Sequence, residues 1–370
     1  MRFSGLDVHK DTIFASVSED GIDYDRKVYQ TDTGSIYDLR DWLLSKGVEA
    51  VGMESTGIYW QVVESILGEE LKTYVVNANY VRQVPGKKTD QNDADWLCKL
   101  LSKGLLPSSF IVRGVQSQLR ILTRHRKLQL RRRTDLLVQM SNLLDRCNIR
   151  LRRLVSSLSS KGSMRLIRAL SGGVTDPQAL LLHLHGRTLK RHGEEQVLRV
   201  LRGHMKAEDC FVLSQLLGQY DLLEQQIKHL EHEAEELACR EYGQEMEVLM
   251  SLPGVGMLSS IHILAEVGSD MSVFKGAKQL SSWAGLCPRN DESAGKLKSR
   301  RLKPGNSHLR PIMVQCALAA IRTRGSHFVN YYANLSARMN KKKAVIAVAR
   351  KLISLVYVLL ERKQKYRYAA

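Results

Sequence analysis

Short apolar runs separated by turn residues fill the first part of the chain, and helical spacing takes over after it. Phe3 to His9 and Thr12 to Ser18 read as strands and Lys27 to Thr31 as a third, with Glu19-Asp20-Gly21 as a tight turn. Connections this short make the three strands antiparallel neighbours. The period then changes. Ser35 to Ser45 places Ile36, Leu39, Leu43 and Leu44 on one side of a helix that Gly47 ends. Glu49 to Met53 predicts a strand, Ile58 to Leu67 a helix, Lys72 to Asn77 a strand, and Asp90 onward another helix.

Three strands followed by helix, strand, helix, strand and helix is the order of the RNase H-like nuclease fold, so residues 1–110 are expected to form an α/β catalytic domain. From Val115 to Leu158, Leu119, Leu122, Leu130, Leu137, Met140, Leu144, Leu151 and Leu154 recur mostly at spacings of three, four or seven. Ala207 to Ala238 repeats the pattern, and the two stretches predict coiled-coil arms within residues 111–240. Between them Ser156 to Glu194, rich in Ser, Gly and His, is expected to be an irregular insertion. Residues 241–370 predict a mostly helical third domain. It opens on Leu252-Pro253-Gly254-Val255-Gly256, which resembles a helix-hairpin-helix turn whose glycines bring backbone N–H groups to a phosphate, and which equally fits a plain helix–helix turn.

Charge narrows the class of partner. Lys and Arg total 56 against 38 Asp and Glu, and a net charge of +18 points to nucleic acid. A membrane is not expected: no apolar run reaches about 18 residues, and Arg350 and Lys351 interrupt the best candidate, Ala344 to Leu360. No leader pattern is legible at the start. The six cysteines form no C-x-x-C. The chain reads as cytoplasmic and reduced.

Carboxylates supply the candidate chemistry. In a helix beginning near Asp90, Asp90 and Asp93 lie about 60° apart on one face, roughly 5 to 6 Å between Cβ atoms, whereas Asp95 falls about 160° from Asp93 and cannot join them. Like charges so close call for a cation such as Mg²⁺, which is held by one or two carboxylates plus substrate phosphates. The first turn of a helix favours Asp for a simpler reason as well, its exposed N–H groups. Asp7 alternates with Leu6 and Val8 in an apolar strand, and Glu54 ends the fourth strand, where α/β folds gather their chemistry. Each alone is equally a solvated strand end; four at one edge of one sheet are a more specific signal.

Gly5-Leu6-Asp7-Val8-His9-Lys10, Met53-Glu54-Ser55-Thr56-Gly57 and Lys88-Thr89-Asp90-Gln91-Asn92-Asp93-Ala94 together resemble the DEDD transposases of the insertion-sequence-110 family. A second block, Ala284-Gly285-Leu286-Cys287-Pro288-Arg289 leading to Ser293, resembles the same family. Ala294 stands between Ser293 and Gly295, where many members have serine directly before glycine. The resemblance implies a metal-binding tetrad of Asp7, Glu54, Asp90 and Asp93 holding Mg²⁺ or Mn²⁺, and Ser293 as nucleophile. It also implies donor and target DNA, a structured guide RNA encoded in the element, and a dimer or tetramer in which the two halves of the site meet.

The residues set conditions on that chemistry. A serine hydroxyl needs a base or metal beside it, and no G-x-x-x-x-G-K-[ST] loop supplies nucleotide energy, so the energy of a broken phosphodiester has to be kept in a covalent bond. Arg120, Arg124, Arg126, Lys127, Arg131, Arg132 and Arg133 on the first arm are expected to meet phosphate, as are Lys296, Lys298, Arg300 and Arg301 beyond Ser293. Two other functions fit less of the sequence. One is a resolvase-type structure-selective nuclease using water, and the other a nucleic-acid-binding scaffold with no activity.

Overall fold

The computed structural model describes residues 1–55, 57–77, 90–106, 109–288, 291–293, 296–299 and 302–367, with the backbone alone at 90–92, 291–293 and 296–299. The chain forms two compact units, Met1–Arg113 and Gly114–Ala370.

The first unit is built on a five-stranded sheet of β1 (Arg2–Val8), β2 (Thr12–Ser18), β3 (Asp25–Gln30), β4 (Val48–Glu54) and β5 (Lys72–Val76), ordered β3-β2-β1-β4-β5. β1, β2 and β3 pair antiparallel, as their short connections demand, and β4 and β5 add in parallel to β1. The helices are α1 (Thr33–Ser45), α2 (Trp60–Leu67) and α3 (Asp90–Ser102). The element order is thus the one the hydrophobic pattern predicts. Asp32 caps α1 by accepting from Ser35 N at 3.0 Å, and Ile36, Leu39 and Leu43 bury its inner face. Leu44, expected on that face, is 38% exposed.

Strand alternation divides the sheet into two faces. Leu6, Val8, Val51 and Met53 join Ile36, Leu39, Leu43 and Val63 in one core. Phe3 and Ala50 belong to the other with Leu97, Leu100 and Leu101 of α3. Gly5 is where α3 crosses β1: a Cβ there would lie 2.0 Å from Ala94 O and 2.5 Å from Cys98 N. Glycine permits that approach because no other residue leaves the space. Cys98 Sγ donates to Phe3 O at 3.2 Å, so α3 runs antiparallel to β1 and its first turn lies towards the β1 end that carries Asp7. Arg113, the unit's last residue, donates to buried Glu64 of α2 at 2.9 Å and to Thr73 of β5 at 2.7 Å.

In the second unit the long helices α4 (Gly114–Arg146) and α9 (Ala207–Met250) lie antiparallel. Arg126–Glu231 and Arg133–Glu224 are rungs spaced by one heptad on each helix, at 2.7 and 2.6 Å. Arg146–Asp209 closes the far end. The expectation of an irregular insertion over 156–194 is corrected: α5 (Lys161–Ser171), α6 (Pro177–Leu181) and α7 (Gly186–His192) occupy most of it, followed by α8 (Glu194–Leu201). Leu166, Ile167, Leu170, Leu180, Val197 and Leu201 are fully buried against Met140, Leu144 and Leu213 of the long pair. Ser160 and Asp176 cap α5 and α6, and Pro177 follows Asp176 at the first helical position. Those start signals were present beneath the Ser-rich composition.

The remainder comprises α10 (Met257–Val267), α11 (Ala277–Trp283), the strand pair β6 (Asp291–Ser293) and β7 (Lys296–Ser299), α12 (Leu309–Ala320), α13 (His327–Ser336) and α14 (Lys341–Arg362). Gly254, in the turn between α9 and α10, has φ +83°, and a Cβ on it would meet Cys316 O at 2.3 Å and Ala320 N at 2.4 Å. This glycine lets the turn pack closely onto α12, while Gly256, exposed at the N-cap of α10, has open space around it. Among the described residues no helix is long and apolar enough to cross a membrane.

Candidate active site

Parallel register brings Asp7 and Glu54 to the same level. Leu6 of β1 pairs with Met53 of β4, so the next residue of each strand, Asp7 and Glu54, lies side by side at adjacent strand ends. Alternation from Gly5 and Gly52 puts both on the face covered by α3. On α3, Asp93 is one turn before Leu97, continuing the stripe of Leu97, Leu100 and Leu101 that packs on the sheet, and Asp90 opens the helix one turn earlier. Asp7, Glu54 and Asp93 are each partly buried. The Asp90 side chain lies outside the described residues, as do Lys87, Lys88 and Thr89.

Asp95 goes elsewhere, as its helical angle predicts. It accepts from Ser16 Oγ at 2.6 Å and from Arg26 at 2.8 and 3.1 Å, over β2 and β3. Sequence reasoning gave His9 no role, yet its Nε2 is 2.9 Å from Asp7 Oδ2. That hydrogen bond orients the Asp7 carboxylate at the mouth of the sheet. Among the described residues no three His, Cys, Asp or Glu side chains stand close enough together to hold a metal. The donor set at this edge, with the Asp90 side chain to be added, is oxygen only, which suits a hard divalent cation.

The serine half of the sequence pattern lies in the second unit. β6 pairs antiparallel with β7, and Ser293, whose side chain is outside the described residues, is opposite Lys296. Lys296 and Lys298 are described by backbone only, and Arg300 and Arg301 lie outside. The neck of this hairpin is well defined. Pro288 bridges Leu302, Lys303 N donates to Cys287 O at 3.1 Å, and Asn306 N donates to Trp283 O at 3.0 Å. Thus the Ala284-to-Pro288 block forms one side of the neck and residues 302–306 the other.

Beneath the neck lies a polar cluster in an otherwise apolar helix. Glu266 of α10, 2% exposed, accepts from Arg124 through both oxygens at 2.9 Å and from Asn306 Nδ2 at 2.7 Å. Burial opposes its ionisation, but Arg124, Arg120 and Asn306 outweigh it and hold the carboxyl below its ordinary range. Arg120, lowered to about 10 by burial, donates to the Ala265 and Glu266 carbonyls. Lys127 donates to Ser307 O at 2.8 Å. His262 lies one turn before Glu266, 3.4 Å from Arg126. An ionisable pair in the run Ile261-His262-Ile263-Leu264-Ala265-Glu266-Val267 was the sequence signal for this cluster.

The basic arm is therefore divided in its loyalties. Arg120, Arg124, Arg126 and Arg133 meet carboxylates or carbonyls of α9 and α10, while Arg131 and Arg132 are exposed.

Carboxylates at one sheet edge, in a chain this basic, define an enzyme that acts on nucleic acid. Residues 4–149 match the transposase family named for DEDD enzymes of the IS110 type, and residues 246–333 match the family described as Transposase IS116/IS110/IS902. The chain is 25% identical to the transposase for insertion sequence element IS1111A of Coxiella burnetii, over 100% of its own length and 92% of that protein. It is 24% identical to a probable family 20 transposase of Pseudomonas aeruginosa, over 89% of each chain. A pilin gene-inverting protein of Moraxella bovis is 27% identical over 38% of this chain and 45% of its own. The chain belongs to the IS110 family of insertion-sequence transposases. It is a DNA transposase, and membership implies DNA cutting and rejoining at a divalent-metal-dependent, nuclease-like site.

Proposed function

We infer that this transposase cuts and rejoins DNA through a covalent phosphoserine at Ser293, with Mg²⁺ held by Asp7, Glu54, Asp90 and Asp93 of an RNase H-like domain. The observation that carries the reading is the parallel register setting Asp7 beside Glu54 on the face where α3 begins. In the step, the Ser293 hydroxyl loses its proton and its oxygen bonds to phosphorus; one ester P–O bond breaks, and the departing oxygen takes up a proton. Rejoining reverses this with a hydroxyl of another DNA end, so no external energy source is consumed. Asp7, Glu54, Asp90 and Asp93 would hold a divalent cation, which would neutralise charge on the phosphate and on the attacking oxygen; His9 orients Asp7, and exposed Lys and Arg side chains hold the DNA backbone. An element-encoded RNA selects the DNA, and the chain works as a dimer or tetramer. In this reading residues 1–110 are catalytic, 111–240 bind RNA and multimerise, and 241–370 carry the serine.

Asp90→Asn tests the tetrad. Cutting of a plasmid bearing the element in its own flanks is expected to stop while nucleic-acid affinity stays near normal; full activity contradicts the metal role. Asp95→Asn is the internal control. Held by Ser16 and Arg26 away from the edge, Asp95 contributes about 1 kcal/mol to stability and nothing to cutting. A melting curve beside the cutting assay reads both.

A further inference from the structure

The Glu266 cluster has more geometry than a core needs. Three separate segments converge on one buried carboxylate: Arg124 from the long basic helix, Glu266 itself from α10, and Asn306 from the outgoing side of the hairpin neck. Asn306 works on both its ends. Its Nδ2 donates to Glu266 Oε2 at 2.7 Å, while its Oδ1 accepts from His308 N and Leu309 N at 2.8 and 2.9 Å and so caps α12. Its backbone N–H reaches Trp283 O across the neck. The residue after it, Ser307, is tied to Lys127.

The outgoing side of the neck is thus tied to α10 through Asn306 and to α4 through Ser307, and the incoming side is tied to it at Trp283, Cys287 and Pro288. Without Asn306 the buried carboxylate keeps Arg124 and Arg120 but loses its tie to the neck. Resting on the reading of Ser293 as nucleophile, we propose that Glu266 is the positioning residue of the hairpin that carries it, acting through Asn306. Glu266 touches neither DNA nor the reacting atoms. It fixes where the base of the hairpin stands, and a displacement of the attacking oxygen by an ångström is costly to phosphoryl transfer.

Asn306→Asp isolates this link. The carboxylate introduced there still caps α12, but it faces Glu266 with a second negative charge in place of a donor. Asn306→Ser is the companion: a hydroxyl caps the helix well but is too short to reach Glu266. Each is combined with Mg²⁺ and a plasmid carrying the element in its own flanks, with the element's transcript present, and covalent protein–DNA adduct is trapped with detergent. Adduct yield is expected to fall about tenfold or more in both variants, with the protein still folded and plasmid affinity close to the parent. Amide hydrogen exchange over residues 296–299 is expected to quicken.

Parental adduct yield and exchange in both single variants overturn the proposal. If Asn306→Asp does not fold, Asn306→Ser carries the same two outcomes. Ser293→Ala separates the failures: adduct formed without Ser293 removes the nucleophile reading, whereas Ser293-dependent adduct indifferent to Asn306 removes the positioning role alone.

Discussion

At the scale of single residues, the polar groups of the second unit are tuned by burial. His262 is lowered to about 4 by burial and by Arg126, and His308 to about 4 by burial and by Arg124 and Lys127. Both stay neutral in the folded chain while the unfolded chain, near the ordinary value of 6.5, already takes up protons. Their contribution to stability is therefore full above about pH 6.5 and is lost as the pH falls from there towards 4. Glu266, held below its ordinary range, adds a further loss at lower pH. The melting temperature is expected to decline steadily below about pH 6.5, and less steeply in His262→Gln. A curve flat down to about pH 5 contradicts the assignment. The placement of Asp7, Glu54 and Asp95 was legible because strand alternation and helical angle fix directions from numbering alone. The partner of His9 was not, since it lies past the last residue of β1, where periodicity stops informing.

At the scale of elements, the crossing of α3 over β1 sets the geometry of the acidic edge. Gly5→Ala drives a methyl group into the Ala94 carbonyl and must push α3 away. The expected cost is about 1–3 kcal/mol of stability, together with loss of cutting, because Asp90 and Asp93 move relative to Asp7 and Glu54. Denaturant titration alongside the plasmid assay measures both, and an undisturbed Gly5→Ala protein would mean that α3 tolerates displacement. The antiparallel α4–α9 pair makes a second prediction. Exposed Arg131 and Arg132 are available to phosphate, whereas Arg133 holds Glu224. If this arm binds the proposed guide, replacing Arg131 and Arg132 by Ala is expected to make the log-affinity against log-salt slope for the element's transcript shallower by up to about two units. Arg133→Ala is expected to lower the melting temperature instead. An unchanged slope in the double variant places both arginines on a solvated face. The heptads of the two arms were readable because each carries its own repeat. Their mutual pairing through Arg126–Glu231 and Arg133–Glu224 was not, because register between distant segments leaves no mark in local spacing. Helices α6 and α7, of 5 and 7 residues, escaped because they span fewer than two turns, and α5 because its apolar stripe lies inside a stretch rich in Ser and Gly.

At the scale of the whole molecule, the two units divide the chemistry and the charge. The acidic edge belongs to the first. The second has no acidic residue from Ser293 to Leu360, and Arg322, Arg324, Arg338, Lys341, Lys342 and Lys343 are all exposed there. A stretch of that charge suits a DNA backbone, and the carboxylates of Glu224, Glu231 and Glu266 pair with the arginines that hold the helices together. What the central claim requires is a bond between the hairpin and DNA. The direct measurement is to trap the protein on a plasmid carrying its element, with the element's transcript and Mg²⁺, digest protein and DNA, and map the modified residue by mass spectrometry. A phosphate on Ser293, absent from Ser293→Ala, is the predicted result; a phosphate on Ser299 or Ser307, or cut DNA with no phosphorylated serine at all, would contradict it.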